Sequence, residues 1–114
     1  MVYVDGIVEG YFVNKTNIDI DVAKIIVEQR KKLSNFEYTC ILVDARNVTG
    51  VNKQARDFLG SKESYHLLNA AAIITGSSLS VFLSNFFLKV NLKRSNVPIR
   101  LFTDKDKARN WLIK

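Results

Sequence analysis

Three short apolar runs, at residues 38–43, 70–75 and 97–102, alternate with polar turns and stretches of helical periodicity, and this rhythm constrains the fold more than any other feature. Runs that are apolar at successive positions, not only at alternate ones, read as strands covered on both faces. Strands separated by helices cannot pair as tight hairpins, so the sequence implies crossover connections and a mainly parallel sheet. The central copy of the unit is CILVDARNVTGVNKQAR, residues 40–56. It reads as a buried strand ending at Asp44, a tight polar loop, and the first turn of a helix capped by Asn52.

The other segments extend that pattern. Residues 1–13 alternate as two strands, and Asp5-Gly6 between them is a turn pair that favours an antiparallel hairpin. Residues 14–17 form a polar connection. Asp19 or Asp21 then caps a helix with Val22, Ile26 and Leu33 on one face and Ile25 beside them. Arg30, Lys31 and Lys32 fall in its last turns, where cations favour the negative end of the helix dipole, and this accounts for the basic run without a ligand. The second helix carries Ala55, Phe58 and Leu59 toward the core and bends or ends between Gly60 and Leu68. The small side chains at 70–72 predict a closely packed neighbour. Gly76-Ser77-Ser78 opens a helix over 79–93 with a core stripe of Leu79, Phe82, Leu83, Phe86 and Val90. Pro98 is tolerable near the start of the next strand. Thr103 or Asp104 caps a final helix that docks through Ala108, Trp111 and Leu112, with Lys105, Lys107 and Lys114 facing water. The expectation is one α/β domain over residues 1–114, in the order β-β-α-β-α-β-α-β-α. Its sheet is mixed but mainly parallel, with about five strands, about four helices and an N-terminal antiparallel hairpin.

Several chemistries are argued against by composition. Cys40 is the only cysteine, so neither an intrachain disulfide nor a thiolate zinc cluster is available within one chain. With no signal-peptide pattern, and no apolar run near the roughly 20 residues that span a bilayer, the expected location is the cytoplasm, without membrane insertion. His66, the single histidine, sits beside Leu67 and Leu68 as a surface or packed residue, and Cys40 lies inside a buried strand where a thiol behaves as a small hydrophobe. Neither a dinucleotide-binding glycine motif nor a phosphate-binding loop occurs. No catalytic, cofactor-binding or metal-ligating residue is therefore assigned. The net charge of +6 reads as solubility, because the basic residues after Lys89 are spread over several elements without interleaved aromatics, and a nucleic-acid face is not expected. The pairs Asp19/Asp21 and Asp104/Asp106 sit where helices begin, as caps do.

Two surfaces remain as candidates. On the helix over 79–93, at about 100° per residue, Val81, Leu88 and Leu92 lie almost opposite the core stripe, with Asn85 among them. A surface helix has no use for a second apolar stripe, so Val81, Asn85, Leu88 and Leu92 are the expected interaction surface, for a protein partner or for a second copy in a homodimer. The other candidate is the rim where parallel strands end, which gathers Asp44, Arg46, Thr75, Ser77 and Ser78 with Thr103 and Asp104. There the Thr75–Ser78 turn offers backbone N–H groups as an anion or small-ligand seat, ordinary helix capping being the plainer account.

The strand ending in Asp44, the pair Ala55-Arg56, the segments AAAIITGSS and SNFFLK, and the closing PIRLFTDKDKARNWL together resemble the STAS-type, SpoIIAA-like domains. The resemblance covers nearly the whole chain and extends to small bacterial STAS/SEC14-like proteins of unassigned function. It implies a non-enzymatic regulatory or protein-interaction module. In antagonist members a serine at the start of the helix after the central strand is phosphorylated, within an Asp-Ser-Ser-Gly sequence that follows an Asp-x-x-x-Val loop. Aligning Asp44 and Val48 with that loop brings Asn52, Lys53, Gln54 and Ala55 onto those four positions, where no hydroxyl can carry a phosphate. Thr49 is the nearest substitute. The resemblance also implies an alternative, a small-molecule carrier or sensor, because SEC14-like relatives bind lipids and other STAS domains bind nucleotides. Its ligand would lie at the rim or under the helix bearing Phe82, Phe86 and Phe87.

Overall fold

The computed structural model describes residues 1–76 and 97–113. Within them, β1 (Val2–Val4) and β2 (Ile7–Tyr11) form the expected antiparallel hairpin. Its two-residue turn places Asp5 at φ 54° and Gly6 at φ 78°. Both sit in the left-handed region, the type I′ geometry that Asp-Gly supports best. The sheet continues with β4 (Thr39–Asp44), β6 (Leu68–Ile74) and β7 (Ile99–Phe102), in the order β1-β2-β4-β6-β7. Every pairing after the hairpin is parallel, and β4 occupies the centre.

Alternation along the strands sends side chains to two cores. Val8, Ile41, Ala71, Ile73 and Ile99 face α1 (Ile20–Leu33), α2 (Lys53–Leu59) and the one-turn α3 (Lys62–Tyr65). Ile7, Leu42, Ala72 and Ile74 face α4 (Lys105–Ile113), from which Ala108, Trp111 and Leu112 dock. The small residues of β6 do mark a close neighbour. Ala72 and Ala108 are both fully buried in one cluster, where two methyl groups let backbone approach backbone. Leu42, Ile74, Val8 and Val48 are the largest fully buried side chains. Each is worth roughly 1.5–3 kcal/mol of transfer free energy.

Local signals set the ends of the helices. Asp19 caps α1, its Oδ1 accepting the Val22 N–H at 2.9 Å. Asn52 caps α2 in the same way, taking the Ala55 N–H at 2.9 Å. Gly60 ends α2 as its C-cap, and the chain resumes as α3 after the Ser61 cap, so of the expected bend or end it is the end that occurs. Asp104 opens α4, its Oδ1 accepting the Asp106 N–H at 2.8 Å.

Three expectations are corrected. The connection at 14–17 and the loop after Asp44 contain two further strands, β3 (Thr16–Ile18) and β5 (Val48–Val51), paired in parallel as a second small sheet. Three or four residues give too little alternation to announce a strand, but Ile18, Val48 and Val51 are buried in the α1–α2 core and hold the pair there. The approach is tight: a Cβ at Gly50 would lie 2.9 Å from Asn17 Oδ1. On α1, Ile25 is 57% exposed, because Ala23, Val27 and Arg30 rotate the buried line away from it. Arg30 itself is not at the solvated helix end but buried.

Candidate functional site

The rim is built where β2, β4, β6 and β7 end together. Asp44 closes β4, and the chain turns so sharply that Arg46 reaches back to it. Asp44 Oδ1 accepts the Arg46 backbone N–H at 3.1 Å and Nε–H at 3.0 Å, and Oδ2 accepts Nη2–H at 2.6 Å. The hydrogen bonds from Arg46 hold the Asp44 carboxyl below its ordinary range, and the charge of Lys105 adds to the effect. Thr75 is buried, and its backbone N–H is spent on Phe102 O at 2.8 Å, as that of Ala45 is on Ile74 O at 2.8 Å. Thr103 and Asp104 stand exposed beside them, Asp104 serving as the α4 cap. Ser77 and Ser78 lie outside the described residues.

Beside Asp44 a cleft of about 480 Å³ opens on the α4 side, lined by Met1, Gly10, Leu42, Ile74, Arg46 and Lys105. Glu9 forms part of its wall and is engaged by Arg109 of α4, which also reaches Asp5 at 3.4 Å. Each acid of the cleft therefore has its cation. No three His, Cys, Asp or Glu side chains among the described residues gather as a metal set. Cys40 is partly buried in β4, and desolvation pushes its thiol up, away from the reactive thiolate.

The positions that the resemblance aligns with the antagonists' phosphoserine fall in the first turn of α2, where Lys53 and Gln54 stand exposed after the Asn52 cap. Lys53 points its charge toward Asp57, 4.0 Å away. Thr49 is exposed on β5, so it belongs to a strand rather than a turn. The stripe Val81, Asn85, Leu88 and Leu92 lies outside the described residues, as do Phe82, Phe86 and Phe87.

A second space was not foreseen. Between the large sheet and α1, α2 and α3 the described residues leave a chamber of about 100 Å³, walled by apolar side chains such as Ile26, Ile41, Leu59, Leu68 and Ala71. Among the described residues Arg30 is its one charged wall residue. Arg30 is only 2% exposed. Its Nη1–H donates to Ser64 O at 2.8 Å and its Nη2–H to His66 O at 2.6 Å, tying α1 to the end of α3, where Leu67 holds φ 65°. Burial lowers the guanidinium pKa to about 10, so it remains a cation at neutral pH. The spacing Ala23, Val27, Arg30 puts the arginine on the buried line of α1 at i, i+4 and i+7, and that spacing was the available signal. The run of three basic residues concealed it.

Two comparisons place this architecture. A family model, a domain of unknown function designated DUF7793, matches residues 1–114. The chain belongs to that family. Among solved structures it is similar to an uncharacterized protein of the DUF3478 family from Shewanella loihica PV-4, described as having a SpoIIAA-like fold. The two chains are 16% identical, the match covers 92% of this chain and 79% of the other, and the TM-score is 0.61. At that identity the likeness speaks for the fold, and the DUF7793 chain has the SpoIIAA-like fold its sequence resembles. No curated protein matches. No helix among the described residues is long and apolar enough to cross a membrane.

Proposed function

We propose that this DUF7793 domain is a non-enzymatic interaction or regulatory module that lacks the phosphoserine switch implied by its resemblance to SpoIIAA-like antagonists. The observation that carries the reading is the engagement of the strand-end rim with itself. Asp44 is held by Arg46 on both oxygens, Glu9 is held by Arg109, and the first turn of α2 offers Lys53 and Gln54 in place of a hydroxyl. A site of this kind supports recognition better than proton transfer or covalent chemistry, both of which need a group free to change partners. The contact surface we assign is the stripe Val81, Asn85, Leu88 and Leu92, with a second copy or a protein partner covering it in the cytoplasm. Sedimentation velocity of the wild type and of a Leu88→Lys, Leu92→Lys variant tests this. A wild-type dimer that the variant reduces to monomer is expected, whereas a wild-type monomer, unchanged by the substitutions in partner assays, would refute the assignment.

A second reading, a carrier or sensor of a small molecule, is favoured by one observation: the apolar chamber of about 100 Å³ under α1 and α2. Close-packed interiors contain few spaces of this size, and apolar ones accept apolar guests.

A further inference from the structure

Arg30 poses an electrostatic problem that its structural contacts do not solve. Its two terminal nitrogens hold the end of α3, but both acceptors are neutral carbonyls. Its Nε is buried without a hydrogen-bond partner. Five ion pairs occur among the described residues, and none includes Arg30. A buried cation without a counter-ion is costly, and an orphaned N–H beside it adds to the cost. Support of α3 accounts for Nη1 and Nη2; it leaves Nε and the charge unexplained. Arg30 is one of the chamber's wall residues, and its Nε is enclosed behind that wall, so a guest meets it once the guanidinium turns slightly. The wall is otherwise mostly apolar, Ile26, Val27, Ile41 and Ala71 among it.

Resting on the second reading above, we infer that the chamber binds a small monocarboxylate, its carboxylate accepting the Arg30 Nε–H and its aliphatic tail among Ile26, Ile41 and Ala71. A carboxylate supplies the missing charge and the missing acceptor together, in the planar geometry guanidinium favours. Size sets the tail. A dry cavity of about 150 Å³ accepts benzene, so the chamber suits a branched or short chain of about four carbons. Arg30 protonation is secure at neutral pH, because burial lowers its pKa only to about 10. A polyanion fits poorly, since one guanidinium with two of its N–H groups already committed cannot neutralise a second charge.

The test compares an acid with its neutral isostere. 3-Methylbutanoate and 3-methylbutan-1-ol are titrated separately into the full chain with labelled methyl groups at pH 7, and the resonances of Ile41 and Ala71 are followed. Both compounds should move them, the acid with a Kd at least about tenfold lower, as a charge-assisted hydrogen bond provides. In Arg30→Met the alcohol should still bind and the acid should lose its advantage. Ala71→Leu, which fills the chamber, should abolish both. If Arg30→Met fails to fold, the wild-type acid-to-alcohol ratio still decides. Equal affinity for the two compounds would overturn the carboxylate inference and leave an apolar-ligand reading standing. Absence of shifts with either compound would overturn both.

Discussion

Ala71 and Ala72 are neighbours on β6, yet they face two differently packed halves of the molecule. Ala72 shares its cluster with the fully buried Ala108 of α4, and the one half-buried cation on that side, Arg109, meets an acid, Glu9. Ala71 borders a chamber, and the buried cation on its side, Arg30, meets only carbonyls. The difference follows from how each face is covered. Among the described residues one face carries a single helix, which can settle onto the sheet until its small residues touch. The other carries three helices and a two-stranded sheet, which must also satisfy one another, and space is left where their demands conflict. One face reads as structural, and the other as the place to look for a guest.

The comparison breaks or holds most visibly on the same substitution made at the two alanines. Ala72→Leu must force side chains into a face that has already closed, and should lower stability by about 2–3 kcal/mol. Ala71→Leu places its added carbons in the chamber and should change stability by less than about 1 kcal/mol. Urea midpoints of both variants measure this. Equal losses would mean that the chamber wall is as tightly packed as the α4 face.

The two arginines sharpen the same contrast. Arg109→Met leaves Glu9, whose side chain is 16% exposed, without its cation, and should lower stability by about 1–2 kcal/mol. A cycle with Glu9→Gln should return part of that loss as coupling, at least about 0.5 kcal/mol. Arg30→Met strands two carbonyls but also removes an uncompensated charge, so its loss in urea should be the smaller of the two. A larger loss at Arg30 would show that its role in tying α1 to α3 outweighs its desolvation.

Most of the large sheet was legible because each of its signals was long or chemically specific. Asp5-Gly6 favours its turn, Asn52 and the Asp19/Asp21 pair stand where a helix needs a cap, and the apolar run of β4 is long enough to exclude a solvent-facing strand. What was missed had short or mixed signals. The strands β3 and β5 are too brief for periodicity to register, and their pairing depends on contacts between distant segments, such as Thr16 N–H with Asn47 O. Arg30 was misread for a different reason. Local electrostatics favours a cation at a helix end, and only the arrival of α3 carbonyls, more than thirty residues along the chain, makes burial tolerable there. At the rim, Asp44 and Arg46 pair at the end of β4, and Thr75 follows the end of β6. The closure through the Asp44–Arg46 pair depended on a turn geometry that spacing alone does not dictate.

That pair yields the smallest expected effect and separates two kinds of ion pair on the α4 side. Hydrogen bonds from Arg46 lower the Asp44 pKa in the folded state, so the carboxylate contributes stability above its unfolded pKa of about 3.9, and this contribution disappears as pH falls through the lower folded value. The stability difference between wild type and Asp44→Asn should therefore be constant from pH 7 to about pH 5, shrink below about pH 4 and be lost once the pH is below the lowered folded-state value. Arg46 is open to water, so the difference should be small and should also fade in about 1 M salt, where screening acts over roughly 3 Å. The Glu9–Arg109 coupling, half-buried beside α4, should persist better in the same salt. If both fade together, the α4 face is wetter than its packing implies, and the contrast between the two faces narrows to the chamber alone.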